Sequence, residues 1–231
     1  MEYLSNIELY FCPLLSKDGK SFQITDEEFH HATKVMRNKI GDSIFATDGK
    51  GEIYEGVITS IDKQNIFADV IKYYSYKNRL SKFTFCIPNL RNPDRFKFAI
   101  EKCVELGITN FLLFNSERSA SKSFNIDRIN KILLSAMKQS LRSFLPKVEV
   151  YDSLLKFGEL NAVKVLFEQS SENKLANQVF DETKNYYMIF GPEGGFSEKE
   201  MLQIHPTLIL NLAENRLRSE TAIIKAASLI S

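Results

Sequence analysis

The sequence has no tryptophan, three cysteines, three histidines and six prolines in 231 residues. Each scarcity removes a class of protein. Cys12, Cys86 and Cys103 are odd in number and far apart, with no pair at the two-residue spacing of zinc or redox sites. Neither a disulfide framework nor a cysteine metal site is expected. His30 and His31 are neighbours, which point to different faces of a helix, and His205 stands alone. No metal is expected. No apolar run approaches the roughly 20 residues of a bilayer span, and the N-terminal MEYLSNIELYF has acids where a secretory leader has a basic region. A cytoplasmic protein with no membrane segment is expected. The Gly-Xaa-Gly-Xaa-Xaa-Gly of dinucleotide folds and the Lys-Ser/Thr loop of P-loop enzymes are also missing.

What is present is 44% hydrophobic residues, enough for one large core or two smaller ones. The net charge of +1 conceals an asymmetry. Residues 1–73 hold 8 basic and 12 acidic side chains, whereas residues 77–147 hold 14 and 5, a local excess of +9. A polyanion-binding face has that electrostatic footprint, although a solvated helical surface has it too.

Two grammars follow one another along the chain. Thr25-Asp26-Glu27-Glu28 has the spacing of a capping box ahead of a helix over FHHATKVMRNK. After Gly41, the segments SIFATD, EIYEGVITSI and NIFADVIKYY are rich in β-branched and aromatic residues around the turn DGKG. A small β-barrel over residues 1–73 is expected. Residues 74–81 are polar and basic and read as a linker. From residue 82 to 231 strand and helix patterns alternate, among them KFTFCIP, a helix between Pro93 and Gly107, NFLLFNS, a helix from Asn125 to Arg142, and NYYMIF. Such alternation predicts an α/β domain with a mostly parallel sheet.

Two loops in this half carry chemistry. GPEGG (residues 191–195) follows the apolar strand NYYMIF, and Ser197 with Glu200 forms a second capping box that opens the next helix. Glycines there let the backbone approach a flat or charged ligand, though a plain tight turn uses them too. The loop LAENRLRSETA (residues 212–222) also follows an apolar strand, and Ser219 is placed to cap the helix after it. Arg218 and Glu220 are read as a partly buried charged pair in that loop.

HHATKVMRNKIGD, KCVELGITNFLLFNSERS, KQSLRSFLP, IFGPEGGFSEKE and LRSETA resemble, in order, the motifs of the RsmE-type methyltransferases of small-subunit ribosomal RNA. The resemblance runs from about His30 to the C-terminus. It implies the SPOUT class: a PUA-like barrel, a trefoil-knotted α/β domain over residues 82–231, and a homodimer. It implies S-adenosylmethionine as cofactor and the N3 of a uridine in 16S ribosomal RNA, free or in the small subunit, as acceptor. The cofactor would lie against Leu166, Phe167 and Glu168 after one strand; against Phe190, Gly191, Pro192, Glu193, Gly194 and Gly195 after the next; and against Leu210, Leu212, Asn215, Leu217, Arg218 and Ser219. Leu9 and Asn215-Arg216 depart from the family pattern.

Uracil N3 carries a proton at neutral pH, so a base or a cation is expected beside it. Arg218 would stabilise charge on the uracil oxygens, and Glu220 or Glu193 would act as base or orient Arg218; the orienting role suits Glu220, since an Arg partner lowers carboxylate basicity. The base must be unstacked, so the target is a loop or single strand. Lys34 and Arg37 on the barrel, and Arg91, Arg95, Arg118, Lys138, Gln139 and Arg142 beyond it, are the expected RNA contacts. The competing readings are a SPOUT methyltransferase acting on another ribosomal or transfer RNA position, and a non-catalytic RNA-binding assembly factor.

Overall fold

A computed structural model describes residues 4–13, 19–119 and 123–231. Residues 1–3 and 14–18 of the expected barrel segment lie outside the described residues. The chain divides into two compact units, residues 1–78 with 137–145, and residues 79–136 with 146–231.

The first unit is a five-stranded sheet in the order β1-β3-β4-β5-β2. Its strands are β1 (Leu9–Phe11), β2 (Ser21–Ile24), β3 (Ser43–Thr47), β4 (Glu52–Ile61) and β5 (Ile66–Ser75). β3 and β4 form the hairpin expected around DGKG, with Thr47 opposite Ile53. The edge strands β1 and β2 approach where the Cys12 thiol donates to Gln23 O at 3.0 Å, so the sheet curls toward closure. Tyr10, Phe22, Ile24, Ile44, Ile58 and Ile66 fill its interior with Phe29 of the helical segment.

That segment departs from the expected uniform helix. A single α turn, α1 (Asp26–His30), passes into a π-helix, His31–Val35. The expected capping box at Thr25 does not form: the Thr25 hydroxyl donates to Asp26 at 2.8 Å, and Glu28 points elsewhere. The Glu28 carboxylate accepts from Lys138 Nζ at 2.6 Å and from Phe11 N at 3.4 Å. A charged donor outcompetes a neutral backbone amide for a carboxylate. Residues 137–145 join this unit through backbone bonds as well, Gly51 N to Ser143 O at 2.9 Å and Leu145 N to Gly49 O at 2.8 Å.

The second unit holds six parallel strands in the order β11-β9-β10-β6-β7-β8. They are β6 (Phe83–Pro88), β7 (Asn110–Phe114), β8 (Lys147–Tyr151), β9 (Val163–Phe167), β10 (Tyr186–Ile189) and β11 (Leu208–Leu210). The inner strands are buried almost throughout, as a sheet covered on both faces requires. Its helices are α2 (Pro93–Glu105), α3 (Ile126–Gln139), α4 (Leu155–Gly158), α5 (Glu198–Ile204) and α6 (Ser219–Ile230). Asn92 Oδ1 accepts from Asp94 N at 2.8 Å and Arg95 N at 3.2 Å, which with Pro93 in the first turn starts α2. Gly107 ends it at φ +98°. The apolar face of α2, including Phe96, Ile100 and Val104, packs beside α6. α3 stops at Gln139, short of the expected Arg142, because Leu141 adopts φ +54°.

The chain runs outward from β6 through β7 to β8, then crosses to β9 and returns to set β10 between β9 and β6. The carboxyl ends of β6 and β10 therefore flank the point where the winding reverses, the place where open α/β sheets bind ligands.

Candidate functional site

Three loops leave the carboxyl ends of the neighbouring parallel strands β11, β9 and β10. The loops after β9 and β11 are laced together. Glu168 N donates to Leu210 O at 3.0 Å, Leu175 N to Asn211 O at 2.9 Å, and Asn211 Nδ2 to Gln169 O at 2.8 Å. Beneath them Phe190 and Leu210 are buried, and the Phe167 ring stacks on Phe190 at a centroid distance of 4.9 Å. Leu212 and Leu217 are half-buried, so an apolar floor carries a rim of backbone polar groups. Leu166 faces the other way, into the core with Phe157 and Ile204.

The loop after β10 is shaped by its glycines and by its neighbours. Gly195 adopts φ +70° and donates its N–H to Pro192 O at 2.9 Å, a tight turn that a side chain would strain. A Cβ on Gly195 would meet nothing within 4 Å, so this surface is open to a ligand. On Gly194 a Cβ would stand 3.1 Å from Arg118 Cδ and 3.2 Å from Arg118 Cβ. That close approach lets Arg118 Nη1 donate to Gly194 O at 2.5 Å. Arg118 was expected on RNA, and its guanidinium lies against this loop. Below it, the capping box at Ser197 forms as expected: Glu200 N donates to Ser197 Oγ at 3.3 Å and Ser197 N to Glu200 Oε2 at 2.8 Å. Glu200 is 1% exposed, and its other oxygen accepts from Glu117 N at 2.8 Å. One buried carboxylate therefore ties the loop after β7 to the loop after β10. Capping spacing in the sequence signals only half of that role.

The charged groups are paired differently from the expectation. Glu220 lies in the first turn of α6 with its side chain 12% exposed, and Arg95 Nε sits 3.4 Å from its Oε1. The expected Arg218–Glu220 pair is thus replaced by Arg95–Glu220, because α2 packs beside α6 and brings Arg95 to the helix start. Arg218 is exposed, and its guanidinium has no partner among the described residues. It also takes the cap position expected of Ser219: its backbone is extended at φ −70° and ψ 154°, and its carbonyl accepts from Ala222 N at 2.9 Å. Ser219 is the first helical residue. Glu193 accepts from Arg91 N at 3.4 Å with each oxygen, with Arg91 Nε 4.0 Å away. Arg91, Arg95 and Arg118 therefore all belong to the surroundings of the loops after β10 and β11.

In the first unit, Lys34 and Arg37 are exposed on and just after the π-helix, beside the exposed apolar side chains of Val35 and Met36. Gln139 is exposed at the end of α3, as is Arg142 three residues on. Lys138 differs: its ammonium is engaged by Glu28, with the two side chains only 24% and 14% exposed. Among the described residues no three His, Cys, Asp or Glu side chains gather as metal ligands.

Residues 78–231 match the sequence profile of the RNA methyltransferase domain, and residues 24–71 that of the RNA methyltransferase PUA domain. The chain is 27% identical to the ribosomal RNA small subunit methyltransferase E of Bacillus subtilis (strain 168), over 97% of this chain and 96% of that one. The solved structure of a probable rRNA-methyltransferase from Porphyromonas gingivalis is 26% identical, covers 96% of both chains and superposes with a TM-score of 0.81. The ribosomal RNA small subunit methyltransferase E of Neisseria gonorrhoeae, solved bound to S-adenosyl methionine, shares the fold at a TM-score of 0.84, with 23% identity over 96% of each chain.

Proposed function

The chain belongs to the RNA methyltransferase family, and from that premise we propose that it transfers a methyl group from S-adenosylmethionine to the N3 of a uridine in small-subunit ribosomal RNA. The observation that carries this reading is the set of three loops at the ends of β9, β10 and β11, with an open glycine surface over an apolar floor. The names of full-length relatives support the substrate, and the bound cofactor of a protein of the same fold supports the donor.

The residues present fit that donor. Gly195 has open space where a side chain would stand, and the half-buried Leu212 and Leu217, over the buried Leu210, offer apolar surface to a nucleoside ring. When bound, the cofactor would supply an electrophilic methyl group on a sulfonium, whose sulfur would keep the sulfur–carbon electron pair as a neutral thioether. The protein's share is to hold the acceptor in line at near-attack distance. Arg218, without a partner among the described residues, is the cation available to the uracil oxygens as N3 loses its proton. Glu220 is paired with Arg95, which leaves it positioned at the start of α6. Glu193 is the half-buried carboxylate of the glycine loop itself and the candidate proton acceptor.

RNA would be gripped by Arg91 and Arg118 beside the pocket, and by Lys34 and Arg37 together with Gln139 and Arg142 on the other unit. The family resemblance further supports a trefoil knot, a homodimer and a cytoplasmic ribosomal substrate.

The test is incubation with labelled S-adenosylmethionine and unmodified small-subunit RNA or subunits, followed by mapping of the modified nucleoside. Label on uridine N3 is expected. Label on another position would overturn the acceptor assignment, and failure of the folded protein to bind S-adenosylmethionine in calorimetry would overturn the donor.

A further inference from the structure

Phe29 and Ala32 are buried in the core of the first unit, and an α-helix continued from them would bury Met36 next, on the same stripe. The π-helix prevents it. Met36 N donates to His31 O at 3.0 Å, five residues back, and Asn38 N reaches Ala32 O at 3.0 Å. The widened turn displaces the stripe, so that Met36 is 47% exposed, with Val35 at 64% and Ile40 at 65%. Such insertions in a helix are frequent at functional sites.

The exposed segment is tied down on both sides. Asn38 Oδ1 accepts from Tyr10 OH at 3.3 Å. Asp42 closes the far end by accepting Lys39 N on Oδ2 at 2.7 Å and donating its own N–H to Lys39 O at 3.1 Å, and Gly41 N is held by Ile58 O of β4 at 2.8 Å. Between these ties Arg37 sits at φ +59°, a left-handed backbone that a bulky residue rarely adopts. A single exposed apolar side chain is ordinary, but three held out within six residues by a strained and tethered backbone form a binding surface.

Charge complementarity selects the occupant. No acidic residue occurs from Phe29 to Gly41, and the side chains of Lys34, Arg37 and Lys39 have no partner among the described residues. A polyanion is drawn to those cations, and its apolar part must be open to Val35, Met36 and Ile40. Paired RNA hides its base faces in the stack, whereas an unpaired strand offers base faces beside its phosphates. An anionic bilayer also joins negative charge to apolar matter, but a membrane-surface helix turns its whole apolar face to lipid, and Phe29 and Ala32 here are buried in the protein. We propose that Val35, Met36 and Ile40 form a base-contacting wedge: they lie against unstacked bases of an unpaired RNA strand whose phosphates Lys34 and Arg37 hold, so that the first unit selects unpaired over paired RNA. The class of ligand rests on the RNA methyltransferase reading, to which the wedge adds a contact to bases made by the first unit.

The test titrates the full chain, without S-adenosylmethionine, into a short unpaired oligoribonucleotide carrying 2-aminopurine, a base that brightens when it leaves the stack, and into the same strand annealed to its complement. The unpaired strand is expected to bind about five- to tenfold more tightly than the duplex and to brighten. Met36→Ser combined with Ile40→Ser removes most of that preference and the brightening, and leaves the slope of log affinity against log salt unchanged. Lys34→Gln combined with Arg37→Gln makes the slope shallower by about 1.4, at about 0.7 per phosphate, while the strand that is bound still brightens. All these side chains are exposed, so Tm stays within about 2 °C of the parent. A larger fall in the Ser variant would show the apolar side chains to be packed and overturns the proposal. Equal affinity for the two RNAs, undiminished brightening by the Ser variant, or tighter binding to vesicles of phosphatidylcholine and phosphatidylserine than to RNA also overturns it. Labelled methyl on uridine, with a Ser variant that binds RNA like the parent, would sink the wedge alone; wedge-like binding with no methyl transfer would sink the catalytic reading alone.

Discussion

Replacing Glu200 by Ala removes the one carboxylate that serves two loops. Its oxygens accept from Ser197 N and Glu117 N, each at 2.8 Å, in a site 1% exposed. A hydrogen bond to a charged group is worth about 1.5–3 kcal/mol, and a buried donor left without a partner bears most of its desolvation cost. Two such bonds, less what water recovers as the loops relax, leave a loss of about 3 kcal/mol. For a chain of this size each kcal/mol moves Tm by about 2–4 °C, so a fall of about 6–12 °C is expected. Glu200→Gln keeps one acceptor and turns its amide against the other donor, and should lose about half as much. The assay is thermal unfolding without cofactor, followed by calorimetry with S-adenosylmethionine at a temperature where both variants are folded. Because Glu200 anchors the glycine loop directly, cofactor affinity should fall about five- to tenfold, or about 1–1.4 kcal/mol. A Tm within about 2 °C of the parent would refute the assigned energetics. A normal affinity in a destabilised variant would refute the claim that this tie shapes the loop.

Arg218→Ala is expected to lower turnover far more than cofactor affinity, since its guanidinium has no partner among the described residues to stabilise; unchanged single-turnover rates would remove it from the reaction. Arg95→Ala leaves the mostly buried Glu220 carboxylate without its cation and should lower both Tm and turnover, whereas Arg95→Lys should restore part of each. Lys138→Met strands the Glu28 carboxylate, and unfolding by urea should report a loss of about 2–3 kcal/mol, with RNA affinity nearly unchanged because its ammonium is already engaged. Finally, four phosphate contacts from Lys34, Arg37, Arg91 and Arg118 would give log affinity for single-stranded RNA a slope near −3 against log salt, at about −0.7 per contact; a flat dependence would refute a basic grip.

Elements with a local cause were legible in the chain. The Pro93 start and Gly107 stop of α2, the DGKG hairpin, the parallel α/β alternation and the Ser197–Glu200 capping box all depend on residues a few positions apart. The same reasoning misled at Thr25, where the spacing was right but the partner was not local. Glu28 turned to Lys138, 110 residues away, because a cation within reach binds a carboxylate more strongly than an amide does.

The two glycine-bearing and arginine-bearing loops, and their place at strand ends, were thus determined by the sequence itself. Which side chains meet there was decided by the order of strands. Setting β10 between β9 and β6 brought the glycine loop to Arg91, and the tie through Glu200 brought it to Arg118; packing α2 beside α6 gave Glu220 to Arg95 and left Arg218 without a partner among the described residues. Helix caps and turns satisfy backbone groups within one or two turns and so leave a local signature. Ion pairs and hydrogen bonds between distant loops follow from which surfaces the apolar core brings together, and no spacing along the chain records that.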